Sequence, residues 1–173
     1  PSYSLTLNGF ALEGGTESDA GAINNAGTLI INNSKFRNNS AISGIGGAIV
    51  NNGTLTITNS SFFNSWALVN GGAIANNGTL TITNTTFNYN SSAVGGAIYT
   101  TSGIVTINTS TFTNNDANQG GAINSQGGDV TVNNSLFDSN IVLVEGGAIY
   151  NLSGTFVINN SQLTNNFAGS QGS

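Results

Sequence analysis

A repeat of about 25 residues is the feature that most restricts what this chain can fold into. The string Gly-Gly-Ala-Ile occurs at 46–49, 71–74, 95–98, 120–123 and 146–149, with a shorter copy at Gly21-Ala22-Ile23. A bulky series keeps the same period: Phe10, Phe36, Phe62, Phe87, Phe112, Phe137 and Leu163. So does an alternating pair, from Leu5/Leu7 and Leu29/Ile31 through Leu55/Ile57, Leu80/Ile82, Val105/Ile107 and Val130/Val132 to Phe156/Ile158. Three series sharing one period mark an array of units, each too small to bury its apolar face alone.

Inside each unit the hydropathy alternates with period two. In Thr54-Leu55-Thr56-Ile57-Thr58 the apolar and hydroxyl side chains must fall on opposite faces of a strand. Turn dipeptides punctuate the units: Asn-Gly at 52–53 and 77–78, Ser-Gly at 102–103 and 153–154, and the Gly-Gly pairs. Helical repeats are excluded, because no segment shows a 3.6-residue period. The expected fold is an all-β, single-stranded parallel β-helix occupying residues 1–173 as one solenoid domain. Each of its six to seven rungs contributes three short strands: the Leu-x-Ile pair, the phenylalanine strand and the Gly-Ala-Ile strand. Equivalent apolar residues should stack in columns about 4.8 Å apart. Two asparagine columns should accompany them, Asn33/Asn59/Asn84/Thr109/Asn134/Asn160 and Asn39/Ser65/Asn90/Asn115/Asn140/Asn166, as axial amide ladders.

The motifs Gly-Gly-Ala-Ile and Phe-x-x-Asn, the latter at Phe36–Asn39, Phe87–Asn90, Phe112–Asn115 and Phe137–Asn140, together resemble the repeats of polymorphic membrane proteins, a family of bacterial autotransporter passengers. Departures are Ser65, Leu163 and, in the first unit, Glu13 at the fourth position. The resemblance implies a right-handed β-helix, export to the cell surface and a part in adhesion. Related repeats are common in large secreted surface proteins.

Composition narrows the chemistry. The chain has two cations, Lys35 and Arg37, against seven carboxylates, for a net charge of −5. Two cations cannot form the basic stripe that nucleic acid requires. No cysteine and no histidine occur, which removes thiol nucleophiles, thiolate metal sites and the commonest general base. The longest aliphatic run, Ile141 to Val144, is far shorter than the roughly 20 residues of a membrane helix, so membrane insertion is not expected. The carboxylates do not recur as a column, and no pair of the kind a glycosidase needs is evident. Catalysis and a cofactor are therefore not expected, and a polysaccharide-acting β-helix enzyme is the weakest alternative. Glu13, Glu17 and Asp19 share one loop and form the single candidate for calcium, which binds oxygen ligands alone. Asn-x-Ser/Thr motifs, among them Asn32, Asn52, Asn77, Asn84, Asn90 and Asn151, are frequent in so Asn-rich a chain; exposed ones are open to glycosylation.

Two surfaces remain as candidates for contact. The corner between Phe-x-x-Asn and Gly-Gly varies in length, and in solenoids such a corner commonly carries binding. It holds Trp66, Leu68 and Val69 on one unit and Ile141, Val142, Leu143 and Val144 on another, an apolar edge for lateral contact. The ends lack any evident cap, so Leu5, Leu7, Phe10, Phe156, Ile158 and Leu163 are candidates for end-to-end contact. Beginning at Pro1, the chain is expected to be a processed product or a fragment. The leading expectation is a non-enzymatic extracellular subunit that stacks on copies of itself into a filament or sheath. The alternative is a piece of a surface adhesin that meets a glycan or a host protein.

Overall fold

The computed structural model describes residues 3–169. The stretch 170–173, where the last unit is expected to lack its Gly-Gly-Ala-Ile corner, lies outside them.

Every regular element among the described residues is a short strand, and all pairings are parallel between successive rungs. Rung 3 is representative, with strands Thr54–Thr58, Ser61–Phe63, Trp66–Asn70 and Ile74–Asn76. Stacking places these four in four sheets, here numbered one to four in chain order within a rung. The first three sheets have seven strands each and the fourth has six. The expectation of three strands per rung is therefore corrected. The variable corner is itself a strand, because a small or apolar residue at its second position (Ala41, Ala67, Ser92, Ala117, Val142) is buried in each interior rung. The β-solenoid, its period and its seven rungs follow the sequence reading.

Register is exact through sheet one, where Leu55 pairs with Leu80 and Ile57 with Ile82, and their apolar side chains are fully buried. In sheet two Phe36, Phe62, Phe87, Phe112 and Phe137 form one stack, with ring centroids 4.6–4.8 Å apart and rings within 6° of parallel. Each contact of this kind adds about 0.5–1.5 kcal/mol beyond the area it buries. The first rung departs from expectation. Leu12, not Phe10, pairs with Phe36. Phe10 precedes that strand, its backbone N–H donates to the Ser34 hydroxyl, and its ring is exposed.

The Gly-Gly corner shows why glycine is needed twice. Gly71 sits at φ +65°, a conformation costly to side-chain-bearing residues. A Cβ on Gly72 would lie 2.1 Å from the Gly96 carbonyl oxygen of the next rung, so rungs could not close to their spacing. Between the glycine corner and the outer face of sheet four, Ala20, Ile45, Val50 and Ala75 form a small second apolar cluster.

Polar columns complete the interior. The Nδ2 atoms of Asn90, Asn115 and Asn140 each donate to the Oδ1 of the asparagine one rung on, at 2.9–3.0 Å, and to a phenylalanine carbonyl of the preceding rung at 3.0–3.1 Å. A second buried amide column, absent from the sequence reading, runs through Asn25, Asn51 and Asn76, with Nδ2–Oδ1 distances of 2.7 Å. Asn76 hands over to the Thr100 hydroxyl at 3.3 Å. A hydroxyl column of Ser34, Ser60, Thr85, Ser110 and Ser135 accepts backbone N–H bonds from the rung before.

Candidate functional site

The inward positions of sheets one, two and four repeat almost without variation, and sheet three is the least regular of the four. There the rungs differ in length. On rung 3, Trp66 pairs with Ser91 and Ala67 with Ser92, but the next pair joins Asn70 to Val94. One extra residue is thus accommodated at Leu68-Val69. The same irregularity recurs on rung 6: Ala117 pairs with Val142, then Gln119 with Glu145, leaving Leu143-Val144 against a single residue. A bulge re-aims the side chains at its crest. Both crests carry Leu-Val, exposed 50% and 40% on rung 3 and 66% and 40% on rung 6. Trp66 and Ile141 are exposed beside them, at 39% and 47%. Val142 is corrected as a contact residue. It is fully buried, in register with Ala117 on the inward side of the strand.

Between the crests the face is polar. Rungs 4 and 5 present Ser91, Asp116 and Asn118, and Asp116 lies in register between Ser91 and Ile141. Partial burial raises the Asp116 pKa above the usual carboxylate value, and a hydrogen bond with Ser91 works against that rise. Asp138, on sheet two, is shifted the other way. Hydrogen bonds from Thr164, Asn165 and Ser139 lower its pKa.

The remaining candidates are placed as follows. Glu13, Glu17 and Asp19 are not gathered into a calcium site. Glu13 ends a sheet-two strand and accepts from Asn38, whereas Glu17 lies on sheet three in register with Ala41, beyond the glycine corner at 14–15. Asp19 stands over Gly44, beyond that strand. Among the described residues no group of three or more such side chains is arranged to hold a metal ion. Lys35 and Arg37 both face outward around the buried Phe36, as alternation requires. Of the glycosylation motifs, Asn90 is buried in the amide ladder, while Asn52, Asn77, Asn84 and Asn151 are exposed. At the two ends of the described stack, Leu5, Ile158 and Leu163 are exposed and Leu7 and Phe156 half-buried; the columns they continue are fully covered in the interior.

A stack of parallel rungs with polar ladders in its interior and one variable face defines a class, the parallel β-solenoid. The model of the Chlamydia polymorphic membrane protein repeat matches three segments, residues 84–101, 109–126 and 134–152. These are the later parts of rungs 4, 5 and 6, so the chain carries repeats of this kind. No curated protein and no solved structure gave a match.

Proposed function

We propose that the chain is a non-enzymatic structural segment of an extracellular, surface-displayed rod, joined axially by further rungs and laterally through sheet three. The observation that carries this reading is the register. Leu5 and Leu7 pair in step with Leu29 and Ile31, and Phe156 and Ile158 with Val130 and Val132, as if each terminal rung were an interior one. An axial neighbour, whether more rungs of the same polypeptide or those of another copy, would cover these columns and continue the main-chain ladder. Dispersal of the carboxylates over different rungs and faces supports a structural role over catalysis. Glu17 qualifies the pole at rung 1. It occupies the register position that alanine holds on rungs 2 and 3, and a charge there blunts an edge.

Negative-stain microscopy of the purified chain tests axial joining. Rods much longer than seven rungs are expected, and deletion of residues 1–12 should abolish them. Monodisperse short particles at every concentration would overturn axial joining between copies. Surface display is tested separately, by protease accessibility of the epitope-tagged protein on intact cells.

A further inference from the structure

The two crests of sheet three are related to each other in a way that a purely decorative surface would not require. They stand three rungs apart, about 14 Å at the strand spacing. Each carries the same Leu-Val pair at a bulge and the same kind of large apolar residue, Trp66 or Ile141, two positions before its leucine. Two polar rungs lie between them, so the pattern is symmetric about a point midway between rungs 4 and 5. Phe167 on rung 7, exposed 59%, is in register with Ile141 and extends the second crest by one rung. A twofold interface must be self-complementary, with each residue type meeting its counterpart after rotation. This face meets that condition.

We infer that two copies of this chain pair side by side and antiparallel through sheet three, the Trp66–Leu68–Val69 crest of each lying against the Ile141–Leu143–Val144 crest of the other. The inference deepens the lateral contact proposed above and is independent of axial joining. Charge selects the direction. Antiparallel pairing sets Asp116 on rung 5 opposite Ser91 and Ala93 on rung 4, and Glu145 on rung 6 opposite Asn70 on rung 3. Parallel pairing about a twofold reverses the strand direction, so it would set the Glu145 carboxylate against Ile141 and Trp66 against Asn70 on the same rung. Lys35 and Arg37 lie on sheet two and could not neutralise that carboxylate. Each crest exposes three apolar side chains together, the kind of patch that marks an interaction surface.

The absence of native cysteine makes the test direct. Leu68→Cys and Leu143→Cys single variants, both at exposed positions, are mixed under mild oxidation. The mixed 68–143 disulfide should form at least about tenfold faster than either variant links to itself, through the effective concentration that pairing creates. Whatever their length, particles of the unsubstituted chain should be two solenoids wide, and those of Leu143→Asp one solenoid wide with an unchanged far-ultraviolet circular dichroism spectrum. Faster 68–68 and 143–143 linkage would overturn the antiparallel arrangement. A monomer at all concentrations with no selective cross-link would overturn pairing altogether. Long fibres without the 68–143 link would refute this inference while leaving axial joining intact.

Discussion

Two asparagine columns climb this solenoid, and they are repeated for different reasons. In the outer column, Asn33, Asn59, Asn84, Asn134 and Asn160 all have φ between 47° and 50°, as does Thr109 at 46°. Their amides do bond along the axis on the early rungs, Asn59 to Asn33 at 3.4 Å and Asn84 to Asn59 at 2.7 Å, but in solvent. Here asparagine is chosen for its tolerance of the left-handed region. In the inner column the left-handed residue is the one before, such as Asn114 at φ 54°, and Asn115 itself is fully buried. Its side chain accepts from the Asn90 backbone N–H and donates to the Phe87 carbonyl. The exceptions separate the two roles. Thr109 interrupts the outer column and costs only local conformation. Ser65 interrupts the inner one, and its hydroxyl is buried without a hydrogen-bond partner.

Substitutions should expose the contrast, with urea-unfolding midpoints as the measurement. The largest effect is expected from Asn115→Ala. It removes the donor to Phe87 and Asn140 and the acceptor of the Asn90 backbone N–H, at a cost of about 3 kcal/mol or more. Next comes a gain. Ser65→Asn should rejoin Asn39 to Asn90 and stabilise the fold by about 1–2 kcal/mol, because the same amide is accommodated on the neighbouring rungs. The smallest effect belongs to the outer column. Asn59→Ala should cost about 1 kcal/mol through its positive φ alone, and Asn59→Gly should restore most of that loss. Equal losses at Asn59 and Asn115 on substitution by alanine would erase the distinction between the columns.

The fold was legible because a parallel solenoid writes each column into the sequence at its own period. The phenylalanine, Leu-x-Ile and Gly-Gly-Ala-Ile series all map onto buried columns. Rung 1 was misread at Phe10 because aromatic identity outweighed spacing. Leu5 to Leu29 is 24 residues, and the same step back from Phe36 arrives at Leu12. The third sheet escaped notice because its buried position needs only a small side chain, and Ala, Ser and Val there carry no visible rhythm. The Asn25/Asn51/Asn76 ladder was periodic but hidden by the abundance of asparagine, and it passes to Thr100 and Ser125 where a hydroxyl serves instead. The exposed apolar run at 141–144 was visible in sequence. Its relation to 66–69 was not, since it depends on matching bulges that only strand pairing reveals.

The crowding at the Gly-Gly corner has a consequence for how such a molecule can diversify. With carbonyl oxygens packed against bare α-carbons from one coil to the next, that corner admits neither a larger residue nor an added one. Length changes during descent are therefore channelled elsewhere: to the adjoining third sheet, where rungs 2, 3 and 6 are longer than rungs 4 and 5, and to the turn from sheet four to sheet one, which is longer at 101–103 than at 77–78. The rigid seam fixes where novelty can arise, and neighbouring lineages built on the same coil should differ first along those two stripes.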